Sequence, residues 1–285
     1  MRTPEEMFRL IEAIAREDDR IRAASVSGSR ANRECPADAY QDYDITFYVR
    51  EVGPFWDNDA WIAEKFGAPC LMQKPESMGL IPPDNDGRYA YLMIFPDGNR
   101  VDLCFAPAEQ AGSGEPEVVL LDKDGILAGA AAEPEHWHVK RPTAKQFADC
   151  CNEFHWCLNN VAKGIARDEV PYVMHMVEDA VRPMLITMLG WYVGTEREFA
   201  VSIGKRGKYL KKLLPETLYR RFLGTYAGAE TQAMWGAAFA MLDLFGDVAR
   251  TVAERLDFAY NVAEEAAIED YMRRVKDGEF EENYR

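Results

Sequence analysis

Two short motifs carry the residue types of phosphate and metal chemistry. Asp42 and Asp44 flank Tyr43 at the head of the strand-like run Ile45, Thr46, Phe47, Tyr48, Val49. Side chains at i and i+2 of a strand point to one face, so the two carboxylates project together. Placed side by side, they repel and are costly to keep ionised. A divalent cation removes that cost, and hard oxygen donors suit Mg²⁺. Upstream, the apolar run 21–26 ends at Gly28-Ser29. Gly28 permits a close backbone approach and an unusual dihedral. Ser29, Arg30, Ala31 and Asn32 read as the start of a short helix whose N–H groups face an anion. The Ser29 hydroxyl and the Arg30 guanidinium both suit phosphate oxygens. Taken singly, Gly-Ser is a common turn and Asp-x-Asp a common solvated strand end. In this order, each at a strand edge, they are the parts of metal-assisted nucleotide chemistry.

A third carboxylate follows. Residues 89–95 and 100–106 read as the arms of a hairpin, with Pro96, Asp97, Gly98 and Asn99 as its turn. Asp102 interrupts the apolar arm formed by Val101, Leu103, Cys104 and Phe105. A carboxylate inside an apolar strand is expensive unless paired or metal-bound. The competing reading places that arm at a sheet edge with Asp102 in water. Three acids around one or two Mg²⁺ ions fit nucleotidyl transfer. Asp42 and Asp44 hold the metal, and Asp102 either binds a second metal or takes the proton of the attacking hydroxyl. The chain has no GKS/GKT phosphate loop, no dinucleotide fingerprint and no Gly-x-Ser-x-Gly elbow, which removes the obvious competing enzyme classes.

The positioning elements divide in two. Residues 4–16 read as a helix capped by Thr3, with Pro4 at its first position and Glu6 three residues beyond the cap. Strands are expected at 21–26, 43–49 and 118–121, a short one at 69–73, a helix at 57–66 and a loop at 81–88. From Thr143 onward helical periodicity dominates. Helices are expected at 143–167, 173–193, 215–226, 230–256 and 261–275, with a basic segment at 204–214 and a polar, frayed tail at 277–285. The expected fold class is α+β: a mixed sheet flanked by helices over residues 1–135, then a helical bundle over 136–285.

Composition narrows the partners. The chain has 285 residues, a formal net charge of -15 and 48% hydrophobic residues. That balance excludes the basic footprint of a nucleic-acid binder and favours a cationic small molecule. No stretch reads as an export signal or a membrane span. A reducing, cytoplasmic setting is expected, with the six cysteines unpaired. His155 lies near Cys151 and Cys157, but 150–157 reads as an amphipathic helix with buried thiols rather than a metal cluster.

The order Gly28-Ser29, Asp42-x-Asp44, then Asp102 resembles the polymerase-β-like nucleotidyltransferase superfamily. More narrowly, the chain is similar to the aminoglycoside 6-adenylyltransferases. The matching stretches are GSRAN at 28–32, QDYDI at 41–45, YLMIFPDGNRVDL at 91–103, DCCNEFHW at 149–156 and SIGKRGKYLKK at 202–212. The resemblance implies AMP transfer from Mg-ATP to a streptomycin hydroxyl, releasing pyrophosphate and conferring resistance. It implies that Ser29 and Arg30 meet the triphosphate, joined by Lys205 and Tyr209 from the helical half. Glu153, Glu178 and Asp179 are candidates for the acceptor's guanidinium groups, or are ordinary surface acids. A monomer or weak homodimer is expected. Another acceptor hydroxyl, or a non-catalytic nucleotide-binding module, are the alternatives.

Overall fold

The computed structural model describes residues 1–80 and 82–280. Residue 81, which opens the expected loop, and the last residues of the expected tail lie outside this range. The chain divides into two compact units, Met1–His136 and Trp137–Arg285.

The first unit begins with α1 (Pro4–Glu17). Thr3 accepts from the Glu6 N–H while the Glu6 carboxylate accepts from the Thr3 N–H, so two backbone donors at the helix start are satisfied together. Next come β1 (Ile21–Val26), the single turn α2 (Gly28–Ala31), β2 (Tyr43–Val49), α3 (Asp59–Phe66), β3 (Leu71–Gln73), β4 (Tyr89–Ile94), β5 (Arg100–Pro107) and β6 (Val118–Asp122). The six strands form one sheet in the order β3-β4-β5-β2-β1-β6. Only the central pair β2–β5 is parallel; the other pairs are antiparallel. β5 is therefore interior, and the edge-strand reading of Asp102 does not hold.

Strand alternation gives the sheet two unlike faces. Tyr43, Ile45, Phe47 and Val49 of β2 and Val101, Leu103 and Phe105 of β5 are buried with Met7, Ile11 and Ile14 of α1 and Trp61, Ile62 and Phe66 of α3. Phe105 is the hub. It stacks on Phe55 at 4.3 Å between centroids and meets Trp61 and Phe47 edge-on at 5.5 and 5.9 Å. Pairs of this kind add to the area term of burial. The opposite face carries Asp44 and Asp102 and, farther along, Ala23, Tyr48 and Ala106 packed under Leu127.

The second unit is helical. It contains α4 (Ala144–Ala166), α5 (Val170–Met176), a π-helical turn (Val177–Val181), α6 (Arg182–Glu196), α7 (Leu210–Leu213), α8 (Glu216–Leu223), α9 (Thr231–Leu256) and α10 (Val262–Lys276). Its core is built from α4, α6 and α9, with Phe154 stacked on Phe245 at 3.8 Å. One helical expectation changes. The helix expected at 173–193 starts earlier, at Val170, and is interrupted by the π turn. The basic segment 204–214 is broken into two short pieces: Gly204 and Gly207 take φ of 69° and 76° and Arg206 a left-handed 54°, giving a 3₁₀ turn at Lys205–Gly207 and then α7. Cys150, Cys151 and Cys157 are buried and unpaired, and burial pushes the Cys157 thiol up to about 11. No helix among the described residues is long and apolar enough to cross a membrane.

Candidate active site

The parallel register of β2 and β5 sets Tyr43 opposite Val101, Asp44 opposite Asp102 and Ile45 opposite Leu103. Partners in register on adjacent strands point to the same face. Two acids separated by dozens of residues in the chain therefore stand side by side. Asp42 precedes β2 by one residue and lies close to the same group. Burial, then the charges of Asp102 and Asp42, push the Asp44 carboxyl up to about 6. Burial also raises the Asp42 carboxyl, and the Arg100 charge opposes that rise. For both Asp42 and Asp44 burial is the leading cause, and neighbouring acid charge adds to it.

The Gly-Ser turn closes over the same point. The Ser27 N–H donates to the Asp44 carbonyl at 2.9 Å, fixing the end of β1 against the start of β2. Gly28 takes φ of 63°, and a Cβ there would lie 2.1 Å from Asp44 Oδ2. Only glycine satisfies both the left-handed backbone and that approach. Ser29 follows on the short turn α2. Arg30 is committed locally. Its Nε and Nη2 donate to the carbonyls of Asp42 and Gln41 at 3.0 and 2.9 Å, and its guanidinium lies 3.8 Å above the Tyr43 ring. Arg30 thus ties the turn to the loop that delivers Asp42.

Arg100 is the functional-site residue that the motif reading passed over. Its Nε and Nη2 donate to the two oxygens of Asp102 at 2.9 and 2.6 Å, and its Nη1 lies 3.3 Å from Asp42 Oδ2. The signal was present: Arg100 is two residues before Asp102 on a strand, so the two must share a face. Among the described residues, no group of three or more His, Cys, Asp or Glu side chains is arranged to hold a metal ion. Arg100 draws Asp42 and Asp102 onto its own fork. The donor chemistry nonetheless fits a hard divalent cation: three carboxylates gathered at neighbouring positions at the start of β2 and on β5, with burial first and the neighbouring acids second opposing the ionisation of Asp44. A second overlooked group is Glu117, buried beside the sheet, which accepts from Tyr48 at 2.9 Å and from Ser25. It comes from the loop before β6, and no periodicity announces it.

Residues 1–275 match the family model described as streptomycin adenylyltransferase. The chain belongs to that family. It is 37% identical over 267 residues to the aminoglycoside 6-adenylyltransferase of Bacillus subtilis (strain 168), covering 91% of this chain and 93% of that protein. It is 34% identical over 281 residues to the aminoglycoside 6-adenylyltransferase of Campylobacter jejuni, covering 97% and 96%. A crystal structure of an aminoglycoside 6-adenyltransferase from Bacillus subtilis aligns with a TM-score of 0.49 at 32% identity, covering 97% of this chain and 99% of that one. The family model and the two curated relatives bear out the expected family, and the chain is an enzyme.

The remaining candidates lie in its helical unit. Lys205 is exposed at the 3₁₀ turn. The Tyr209 N–H donates to the Ile203 carbonyl at 3.0 Å, and a Cβ on Gly204 would meet the Tyr209 ring at 2.8 Å. Glu153 is exposed on α4 and accepts from Cys157 Sγ at 3.3 Å. Glu178 and Asp179 sit on the π turn. Both are exposed; Glu178 accepts from Arg182 Nε at 2.7 Å, and Asp179 lies 4.0 Å from His175. Arg182 is buried, donates to Thr225 Oγ1 at 2.7 Å and lies 3.6 Å from the Tyr226 ring centre. His155, in the Cys151–Cys157 stretch, is buried, with Nδ1 2.9 Å from Glu264 Oε1.

Proposed function

We propose that this chain transfers AMP from ATP to a hydroxyl of streptomycin and releases pyrophosphate. The coarser part, adenylyl transfer to an aminoglycoside, is supported by the names of its curated relatives. The observation that carries the chemistry is the register pair Asp44–Asp102, with Asp42 alongside and Gly28 packed on Asp44.

In this reading Asp42, Asp44 and Asp102 hold Mg²⁺. A divalent ion held by these carboxylates would neutralise triphosphate charge and make the α-phosphorus a better electrophile. The acceptor hydroxyl oxygen bonds to that phosphorus, the bond to the bridging oxygen of the β-phosphate breaks, and pyrophosphate departs. The hydroxyl proton passes to a base, and Asp102 is the candidate when it is not fully engaged as a ligand. Ser29 and the backbone after Gly28 approach the phosphates. Arg30 serves mainly by fixing the Gln41–Asp42 loop. Lys205 and Tyr209 add contacts to the nucleotide. Glu153, Glu178 and Asp179 are all exposed, and Glu178 is the one already paired with a buried arginine, Arg182, so Asp179 and Glu153 suit the acceptor's guanidinium groups better. A net charge of -15 favours a polycationic acceptor over a polyanionic one.

The direct test is pyrophosphate release from Mg-ATP with a panel of aminoglycosides, lincosamides and other hydroxyl acceptors. Streptomycin-dependent release, lost without divalent metal, is the expected result. Turnover only with a different acceptor would move the substrate assignment. Binding of Mg-ATP without turnover on any acceptor would sink the enzymatic reading.

A further inference from the structure

Arg100 lies on two of the three carboxylates named as metal ligands in the proposed function. It is at the first position of β5, next to the hairpin turn, and its side chain is nearly half exposed, at 46%. Its guanidinium is bidentate on Asp102, which is only 19% exposed, and reaches Asp42 with its third nitrogen. The same two carboxylates are the proposed metal ligands. A guanidinium brings one charge and a divalent ion two, so the two cannot share these oxygens without strong repulsion at this range. A displaced guanidinium beside a bound nucleotide finds phosphate oxygens, which match its fork as well as a carboxylate does.

We propose that Arg100 is an internal counter-cation that occupies the divalent seat on Asp42 and Asp102 and moves to the triphosphate when metal and nucleotide bind together. This rests on the assignment of the three aspartates as metal ligands. Two consequences follow. The nucleotide-free protein binds divalent ions weakly, because Arg100 competes for their ligands. Metal and nucleotide then bind with positive coupling, because each removes what opposes the other.

The test uses the full chain and two equilibria. Mn²⁺ binding without nucleotide is measured by electron paramagnetic resonance, and Mg-ATP binding by calorimetry, for the wild type, Arg100→Met and Arg100→Lys. In Arg100→Met, Mn²⁺ binding tightens on the order of tenfold and Mg-ATP binding weakens on the order of tenfold. Arg100→Lys, a point charge without the fork, falls between the wild type and the methionine variant in both. Effects of opposite sign are the signature, since a residue that merely braces the strand end would weaken both on removal. Mn²⁺ affinity that is unchanged or weaker in Arg100→Met overturns the proposal. Asp102→Ala separates the two possible failures. If it abolishes Mn²⁺ binding while Arg100→Met leaves that binding unchanged, only the role of Arg100 falls. If it leaves Mn²⁺ binding intact, the three-aspartate site and the proposal fall together.

Discussion

The two faces of the first unit's sheet are made by the same strands and do opposite things. On one face β2 and β5 bury Tyr43, Ile45, Phe47, Val101, Leu103 and Phe105 in a nearly dry aromatic core. On the other, one residue out of phase, Asp44 and Asp102 stand in register with Arg100 bridging to Asp42. The first face is held by area and shape, where interactions are many, small and cooperative. The second holds like charges together at an electrostatic cost that the first face must offset. A single sheet can therefore separate stability from chemistry by the period of its strands.

That separation can be broken in a definite order. Asp44→Ala should lower adenylyl transfer by on the order of a thousandfold or more, while the thermal melt stays within a few degrees of wild type. A large loss of melting temperature would show that the acid face also carries the fold. Phe105→Ala should do the reverse. Loss of a ring packed on Phe55, Phe47 and Trp61 costs about 3–5 kcal/mol of stability, read from denaturant unfolding, with turnover per folded molecule little changed.

Gly28→Ala touches both sides of the comparison. A left-handed alanine costs roughly 1–2 kcal/mol, and its methyl would collide with the Asp44 carboxylate, so activity should fall together with a modest loss of melting temperature. Activity retained in this variant would mean that the turn does not need to close on Asp44.

The smallest effect is expected at the rim of the apolar face. Asp18 accepts from Arg20 and, at 3.3 Å, from the Trp61 indole. The Arg20 hydrogen bond leads the causes that hold its carboxyl below the ordinary 3.8. A lowered folded value means that the contribution is present above the ordinary value and is lost as pH falls through the folded one. Asp18→Asn should thus destabilise by no more than about 1 kcal/mol at neutral pH, and the gap from wild type should close in strong acid. A gap that persists there would assign the effect to packing instead.

Much of this was legible in advance. The Thr3–Glu6 cap, the strands at 21–26 and 43–49 and the hairpin of β4 and β5 follow from local pattern, and each forms within a residue or two of its expected bounds. The same period that predicts the Asp42–Asp44 pair also pairs Arg100 with Asp102, and a cation two residues from a suspected ligand was a readable sign. The segment 204–214 shows the limit of composition. Its lysines suit a helix surface, but two glycines and Arg206 in left-handed conformations break it into turns. Glu117 could not have been found, because a buried carboxylate in an irregular loop leaves no periodic trace.

The chain by itself determined which residues alternate and which segments cap and turn, because those depend on neighbours a few positions away, and its motifs along the whole length placed it in a family. It did not determine that Asp44 faces Asp102, since that depends on β5 lying parallel and in register beside β2 rather than at an edge. Nor did it determine that Arg100 closes the gap between Asp102 and Asp42. Those are consequences of strand order, which is decided by how both sheet faces can be covered at once, and only the folded molecule solves that problem.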